Sequence, residues 1–89
     1  MNASDESLIT YPCDFPIKIM GGTQDAFAQT MVDLVRLYDP EFDASKMEMR
    51  PSTKGNYLSL TVTVRATSRE QLDNLYRALS SHPMVKVVL

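Results

Sequence analysis

A single cysteine, Cys13, and a single histidine, His82, are all that this chain offers in thiol and imidazole chemistry. A lone cysteine excludes an internal disulfide. One Cys and one His, far apart in the chain, leave no cluster with the ligand spacing of a zinc site. Long apolar runs are also absent, and none approaches the roughly 20 residues of a membrane-spanning helix. Nor is there the basic excess expected of a dedicated DNA binder. Nine Lys and Arg stand against eleven Asp and Glu, for a net charge of −2. The opening residues, Met1-Asn2-Ala3-Ser4-Asp5-Glu6-Ser7, are polar and acidic, unlike a secretory signal. These absences set the expectation of a cytoplasmic protein with no catalytic residues, no metal and no cofactor.

What is present suits one small soluble domain: 89 residues, 44% hydrophobic and 22% charged. The clearest signal lies at Leu58, Leu60, Val62, Val64 and Ala66, with Ser59, Thr61, Thr63 and Arg65 between them. Strict alternation predicts a strand with one face in the core and one in water. Lys54-Gly55-Asn56 just before it is turn chemistry and predicts a hairpin.

The rest of the chain falls into place around that strand. Residues 1–12 read as a loose polar segment, and 13–89 as the domain. Phe15 to Met20 alternates as a first strand, with Phe15, Ile17 and Ile19 inward. Gly21-Gly22-Thr23 reads as a tight turn with Thr23 as N-cap. Phe27, Met31, Leu34, Val35 and Tyr38 form a helical stripe, which Asp39-Pro40 ends. Lys46 to Arg50 alternates again, with Met47 and Met49 inward, and Pro51 marks it as an edge strand. Thr67 or Ser68 caps a second helix, with Glu70 or Gln71 as the return partner. Its stripe is Leu72, Leu75, Tyr76 and Leu79. Val85, Val87 and Leu89 are the inward residues of a last strand.

The order is β-α-β-β-α-β, an α+β, ferredoxin-like sandwich. Right-handed crossovers place both helices on one face of a four-stranded antiparallel sheet of order 4-1-3-2. The other face is left open. By the alternation it carries Lys18, Met20, Lys46, Glu48, Arg50, Tyr57, Ser59, Thr61, Thr63, Arg65, Met84, Lys86 and Val88.

Several segments resemble the YbeD-like family of small bacterial proteins. They are Ile19-Met20-Gly21, the stretch Arg50-Pro51-Ser52-Thr53-Lys54-Gly55-Asn56-Tyr57-Leu58-Ser59, Gln71 with Leu75-Tyr76, and Val87-Val88-Leu89. The likeness covers about residues 13–89. It implies a cytoplasmic protein whose ferredoxin-like fold is close to the ACT regulatory domains, which bind small effectors and pair side by side. A regulatory role in lipoate metabolism is attached to that family, and no catalytic residues come with it. Homo-oligomerisation is the corresponding expectation.

Charge is unevenly placed. Residues 1–43 hold eight acids against Lys18 and Arg36, whereas residues 44–89 hold seven bases against Glu48, Glu70 and Asp73. The plainer explanation is that the two halves attract each other in the fold. A binding explanation points to the open face, where five bases face one acid. Lys18, Arg50, Lys54, Asn56, Tyr57, Arg65 and Lys86 are its candidate residues, for a protein partner or small effector. RNA or an acidic protein is the alternative occupant. Nucleic acid fits less well, because the central outward positions are Lys18, Met20, Ser59 and Thr61 rather than stacking aromatics. Phosphoryl transfer of the acylphosphatase type needs an Arg between Gly21 and Asp25, and there is none.

Overall fold

The computed structural model describes residues 9–89. The expected loose segment falls outside the described residues up to position 8; within the described part, Tyr11 packs against the core. The elements are β1 (Cys13–Gly22), α1 (Phe27–Tyr38), β2 (Glu48–Pro51), β3 (Tyr57–Ala66), α2 (Arg69–Ser81) and β4 (Val85–Val88), with a short 3-10 turn at Ala44–Lys46. The sheet order is β2-β3-β1-β4, the expected order read from the other edge, and every pairing is antiparallel.

The two longest strands, β1 and β3, pair without a break over ten residues, from Cys13 opposite Ala66 to Gly22 opposite Tyr57. Side chains on a strand alternate, so this register puts Ile17 and Ile19 beside Leu60, Val62 and Val64 on one face. All five are fully buried, under Phe27, Met31 and Val35 of α1 and Leu72, Leu75 and Leu79 of α2. Burying one such side chain stabilises the fold by about 1.5–3 kcal/mol, so this layer supplies most of the favourable free energy.

Where α1, β3 and α2 meet, polar atoms do the joining. Ser68 caps α2, its Oγ accepting from the Gln71 amide at 3.0 Å. The Gln71 side chain reaches back, its Oε1 accepting from the Thr67 amide at 2.6 Å. Its Nε2 donates to the carbonyl of Tyr38 at 2.8 Å and that of Arg65 at 3.1 Å. One glutamine thus ties the end of α1, the end of β3 and the start of α2. Asp39 is buried beside it, and its Oδ2 accepts from the Arg65 amide at 2.9 Å. β2 stops opposite Thr61, so this carboxylate satisfies a β3 amide that the edge strand does not reach.

Four local expectations are corrected. Gly21 and Gly22 are not a turn but the last two residues of β1, and neither has positive φ. A Cβ on Gly21 would strike the Met84 carbonyl and come within 2.7 Å of the Phe27 ring, so close approach explains this glycine. Thr23 does not cap α1, whose N-cap is Ala26 with no side-chain bond. Instead its amide donates to the Asn56 carbonyl at 3.1 Å and its hydroxyl to the Gly55 carbonyl at 2.8 Å, joining the β1–α1 loop to the hairpin. Met49 lies opposite buried Leu60 yet is 57% exposed, because all four β2 residues sit at an uncovered edge.

The fourth correction concerns β4. Its register slips beside Met20 and Gly21: Val88 faces Ile19 and Val87 faces Met20, but Val85 faces Gly21, leaving Lys86 as an extra residue. One extra residue reverses the alternation. Val85 and Val88 therefore pack against the core, as does Met84, while Val87 and Leu89 are exposed. In the turn before β4, His82 is half-buried, and its Nδ1 accepts from the Met84 amide at 3.1 Å.

The Gln71 junction is open to a direct test. Gln71→Ala strands the Thr67 amide and the Tyr38 and Arg65 carbonyls, and is expected to cost about 1–3 kcal/mol in urea denaturation. Gln71→Glu keeps the acceptor and loses the donor, so its loss should be intermediate. Equal stability of all three proteins would show that the junction is held by packing alone.

Candidate functional site

The open face is built from rows of side chains that run across the strands. Arg50, Ser59, Met20 and Val87 form one row through successive pairings. The next row is Glu48, Thr61 and Lys18, and it continues to Leu89, whose backbone exchanges hydrogen bonds with Lys18 at 2.8 and 3.0 Å. At the hairpin end, Tyr57 stands opposite Gly22, which carries no side chain.

The rows leave two adjoining depressions. One of about 280 Å³ is lined by Lys18, Met20, Arg50, Pro51, Ser52, Tyr57 and Ser59, and its walls are mainly apolar. The other, of about 300 Å³, shares Lys18, Arg50 and Ser59, adds Glu48, Met49 and Thr61, and is mainly polar. No hydrogen bond or ion pair engages the Lys18 ammonium or the Arg50 guanidinium among the described residues. Two uncommitted cations beside an apolar hollow are what an anionic partner would use.

The candidate residues divide accordingly. Lys18, Arg50 and Tyr57 are brought together. Asn56 and Lys54 belong to the hairpin turn. Asn56 gives its carbonyl to Thr23, and Lys54 is exposed at the tip beside Gly55, whose φ of 77° is the left-handed conformation that favours glycine. Lys86 is exposed at the β4 irregularity, outside both depressions. Arg65 is committed to structure at the far end of β3: its Nη1 meets Asp14 Oδ1 at 3.1 Å, and its amide and carbonyl are taken by Asp39 and Gln71. Met20, Pro51, Ser52 and Ser59 join the site without being candidates from sequence. Three of them flank or share the Arg50 row, a signal visible only once the register is known.

The expected five-to-one basic excess on this face also shrinks. β1 begins at Cys13, which adds Asp14 opposite Arg65, and Lys46 lies in the 3-10 turn rather than in β2. Lys46 and Arg65 line a third recess, of about 400 Å³, with Asp14, Asp39, Glu41 and Asp43. Its acids are largely occupied. Asp43 accepts from the Ser45 hydroxyl at 2.6 Å and the Ser45 amide at 3.0 Å, which hold its carboxyl below its ordinary pKa, with a smaller contribution from the charges of Lys46 and Arg36. The Asp14–Arg65 ion pair joins the acidic and basic halves of the chain here, whereas Lys18 and Arg50 have no ion-pair partner among the described residues. Elsewhere, burial raises the pKa of the Tyr76 phenol above its ordinary value. Among the described residues, no group of three or more His, Cys, Asp and Glu could hold a metal, and no helix is long and apolar enough to cross a membrane.

Comparison with known proteins identifies the family. The model described as "Protein of unknown function (DUF493)" matches residues 6–89. The chain belongs to the DUF493 family. A UPF0250 protein of Ralstonia nicotianae is 73% identical over 84 residues, spanning 94% of this chain and 87% of its own length. A UPF0250 protein of Paraburkholderia phytofirmans is 65% identical over the full length of both. Among solved structures, protein HP0495 from H. pylori superposes with a TM-score of 0.77 at 20% identity, over 100% of this chain and 94% of that one. The ACT domain from GTP pyrophosphokinase of Chlorobium tepidum gives a TM-score of 0.58 at 17% identity, over 86% and 97% of the two chains. At such identities the likeness shows the fold alone: this DUF493 member has the ferredoxin-like fold, which that ACT domain shares.

The placement of side chains predicts how the hairpin responds to change. Lys54→Ala and Arg50→Ala remove exposed groups and should shift stability by no more than about 0.5 kcal/mol. Gly55→Val forces a β-branched residue to positive φ and should lower the melting temperature by several degrees. Early melting of the first two variants would make those residues structural.

Proposed function

We propose that this DUF493 member is a non-catalytic regulatory domain that works by binding a partner on the open face of its sheet. The observation that carries the reading is the pair of uncommitted cations, Lys18 and Arg50, beside the apolar Met20, Pro51 and Tyr57. Solvation alone asks only for charge. An apolar hollow kept next to unpaired charge on an otherwise uncovered face is the composition of a recognition surface. The ACT-like fold supports a regulatory role by analogy, since such domains act by what they bind. A cytoplasmic setting goes with this reading. Its finer form, a part in lipoate metabolism, rests on the family resemblance.

RNA is the weaker occupant: Tyr57 is the only aromatic among the residues that line the two face depressions, and it stands at the end of the sheet rather than at its centre.

The test is capture from native lysate on immobilised protein, with the double variant Lys18→Glu/Arg50→Glu as control. Proteins retained by the wild type and lost by the variant are the expected result, the variant melting normally. Identical captures by both, or none by either, would remove the open face as the site of action. Melting-temperature shifts with lipoate and amino acids address the effector form, and filter binding of mixed RNA at rising salt addresses the other occupant.

A further inference from the structure

The register slip of β4 gives the open face two residues that solvent does not call for. It turns Val87 and Leu89 outward, where they are 43% and 67% exposed. Val87 stands beside Met20, and Leu89 beside Lys18. Tyr57, 48% exposed, adds a ring at the hairpin end of the same face. An antiparallel sheet that faces only water carries polar residues at its outward positions. Here apolar side chains cross the face beside Lys18 and Arg50, which have no ion-pair partner among the described residues.

The relief of this face is that of a trough. Its floor is β3, where Ser59 and Thr61 are small and half-buried. Glu48 and Arg50 of β2 stand along one side, and Lys18 and Met20 of β1 along the other, with Leu89 and Val87 beyond them. The two depressions share Lys18, Arg50 and Ser59, so they join along β3, from Thr61 to Tyr57. That length of strand spans roughly 14 Å. A small molecule would fill one depression and leave the other open. β2 and β4 lie three strand spacings apart, again roughly 14 Å, and a helix with its side chains is about 10–12 Å across. A helix also makes its own backbone hydrogen bonds, which a face of side chains cannot supply to an extended segment.

We propose that the trough seats one amphipathic, acidic helix of a partner protein. Its apolar stripe lies on Met20, Val87, Leu89 and Tyr57, and carboxylates beside the stripe meet Lys18 and Arg50. Charge selects the occupant, since a second copy of this chain would set like charges face to face. This inference rests on the reading of the open face as the functional surface and names the kind of partner that surface takes.

The probe is a synthetic helix of about 18 residues, long enough to hold helical form alone, with a leucine stripe flanked by glutamates. Isotope-labelled protein is titrated with it and followed by amide chemical shifts. Saturable shifts are expected at Lys18, Met20, Ser59, Thr61 and Val87, with affinity that falls as salt rises. The same peptide with lysine in place of glutamate should bind at least tenfold more weakly. So should a scramble that keeps the composition and breaks the stripe. Val87→Ser/Leu89→Ser should weaken binding about tenfold while its amide spectrum stays dispersed, because both residues are exposed. Equal binding of the lysine peptide would overturn the charge requirement, and equal binding of the scramble would overturn the helix. Shifts confined to other residues, or none, would overturn the seat. Concentration-dependent shifts at the same amides without peptide would make a second copy the occupant and overturn the proposal. Should the double variant fail to fold, the peptide series on the wild type still separates these outcomes. If the peptide does not bind while capture from lysate still depends on Lys18 and Arg50, the partner class is wrong and the functional reading stands. If it binds and capture is indifferent to those cations, the seat stands and the regulatory reading falls.

Discussion

The unbroken pairing of β1 with β3 is the constraint on which the other features depend. Ten consecutive residue pairs leave one register, and that register decides which side chains are covered by helices and which face water. A slip of β1 by one residue against β3 would carry Ile17 and Ile19 to the open side and put Lys18 under the helices. Burying an unpaired lysine costs far more than a domain of this size has in reserve. The same register assembles the open-face rows, so core and candidate site follow from one set of backbone hydrogen bonds.

Electrostatics divides the molecule more finely than the half-and-half distribution along the chain suggests. Most carboxylates near the far end of the sheet have partners: Asp14 pairs with Arg65, Asp39 accepts from the Arg65 amide and Asp43 from Ser45. The exposed Asp14–Arg65 pair adds little stability, about 0–1 kcal/mol, but it occupies the guanidinium of Arg65. At the hairpin end the acids are sparse, and Lys18 and Arg50 keep their full capacity to meet an anion. The contrast between the two ends singles out the candidate face better than a count of bases does.

How much of this is legible in the sequence depends on how far each residue's surroundings are local. The β3 alternation and the Lys54-Gly55-Asn56 turn are properties of consecutive residues, and both elements are where the pattern places them. The Ser68–Gln71 cap has a three-residue spacing and is equally local. Phe42 has no place in any periodic stripe and is nonetheless a core residue, because it is set by the bond of its amide to the Asp39 carbonyl. Val32 is buried where Leu34 is only half-covered, since the stripe of α1 is centred by packing that the period alone does not show. The parity of β4 escapes the pattern for a related reason: a single extra residue beside Gly21 reverses it, and Val85-Lys86-Val87-Val88 carries no mark of the slip. Of the candidate site, Lys18, Arg50 and Tyr57 are visible as outward positions, but only the pairing register reveals that Arg50 shares a row with Met20 and Ser59.

Thr23 gives the molecule a mechanical linkage. Its two bonds to Gly55 and Asn56 fasten the hairpin tip to the segment that leads into α1, and the hydroxyl bond is open to solvent. Solvent-exposed bonds of this sort open at the low end of a protein's range of local stabilities, well before the sheet beneath them. The tip and the lead-in to α1 therefore behave as one latch. When it lifts, the hairpin wall that carries Pro51, Ser52 and Tyr57 is loosened together with the first turn of the helix. Amide hydrogens of Thr23 and of residues 52–57 would then exchange as one cooperative group, faster than those of the β1–β3 centre.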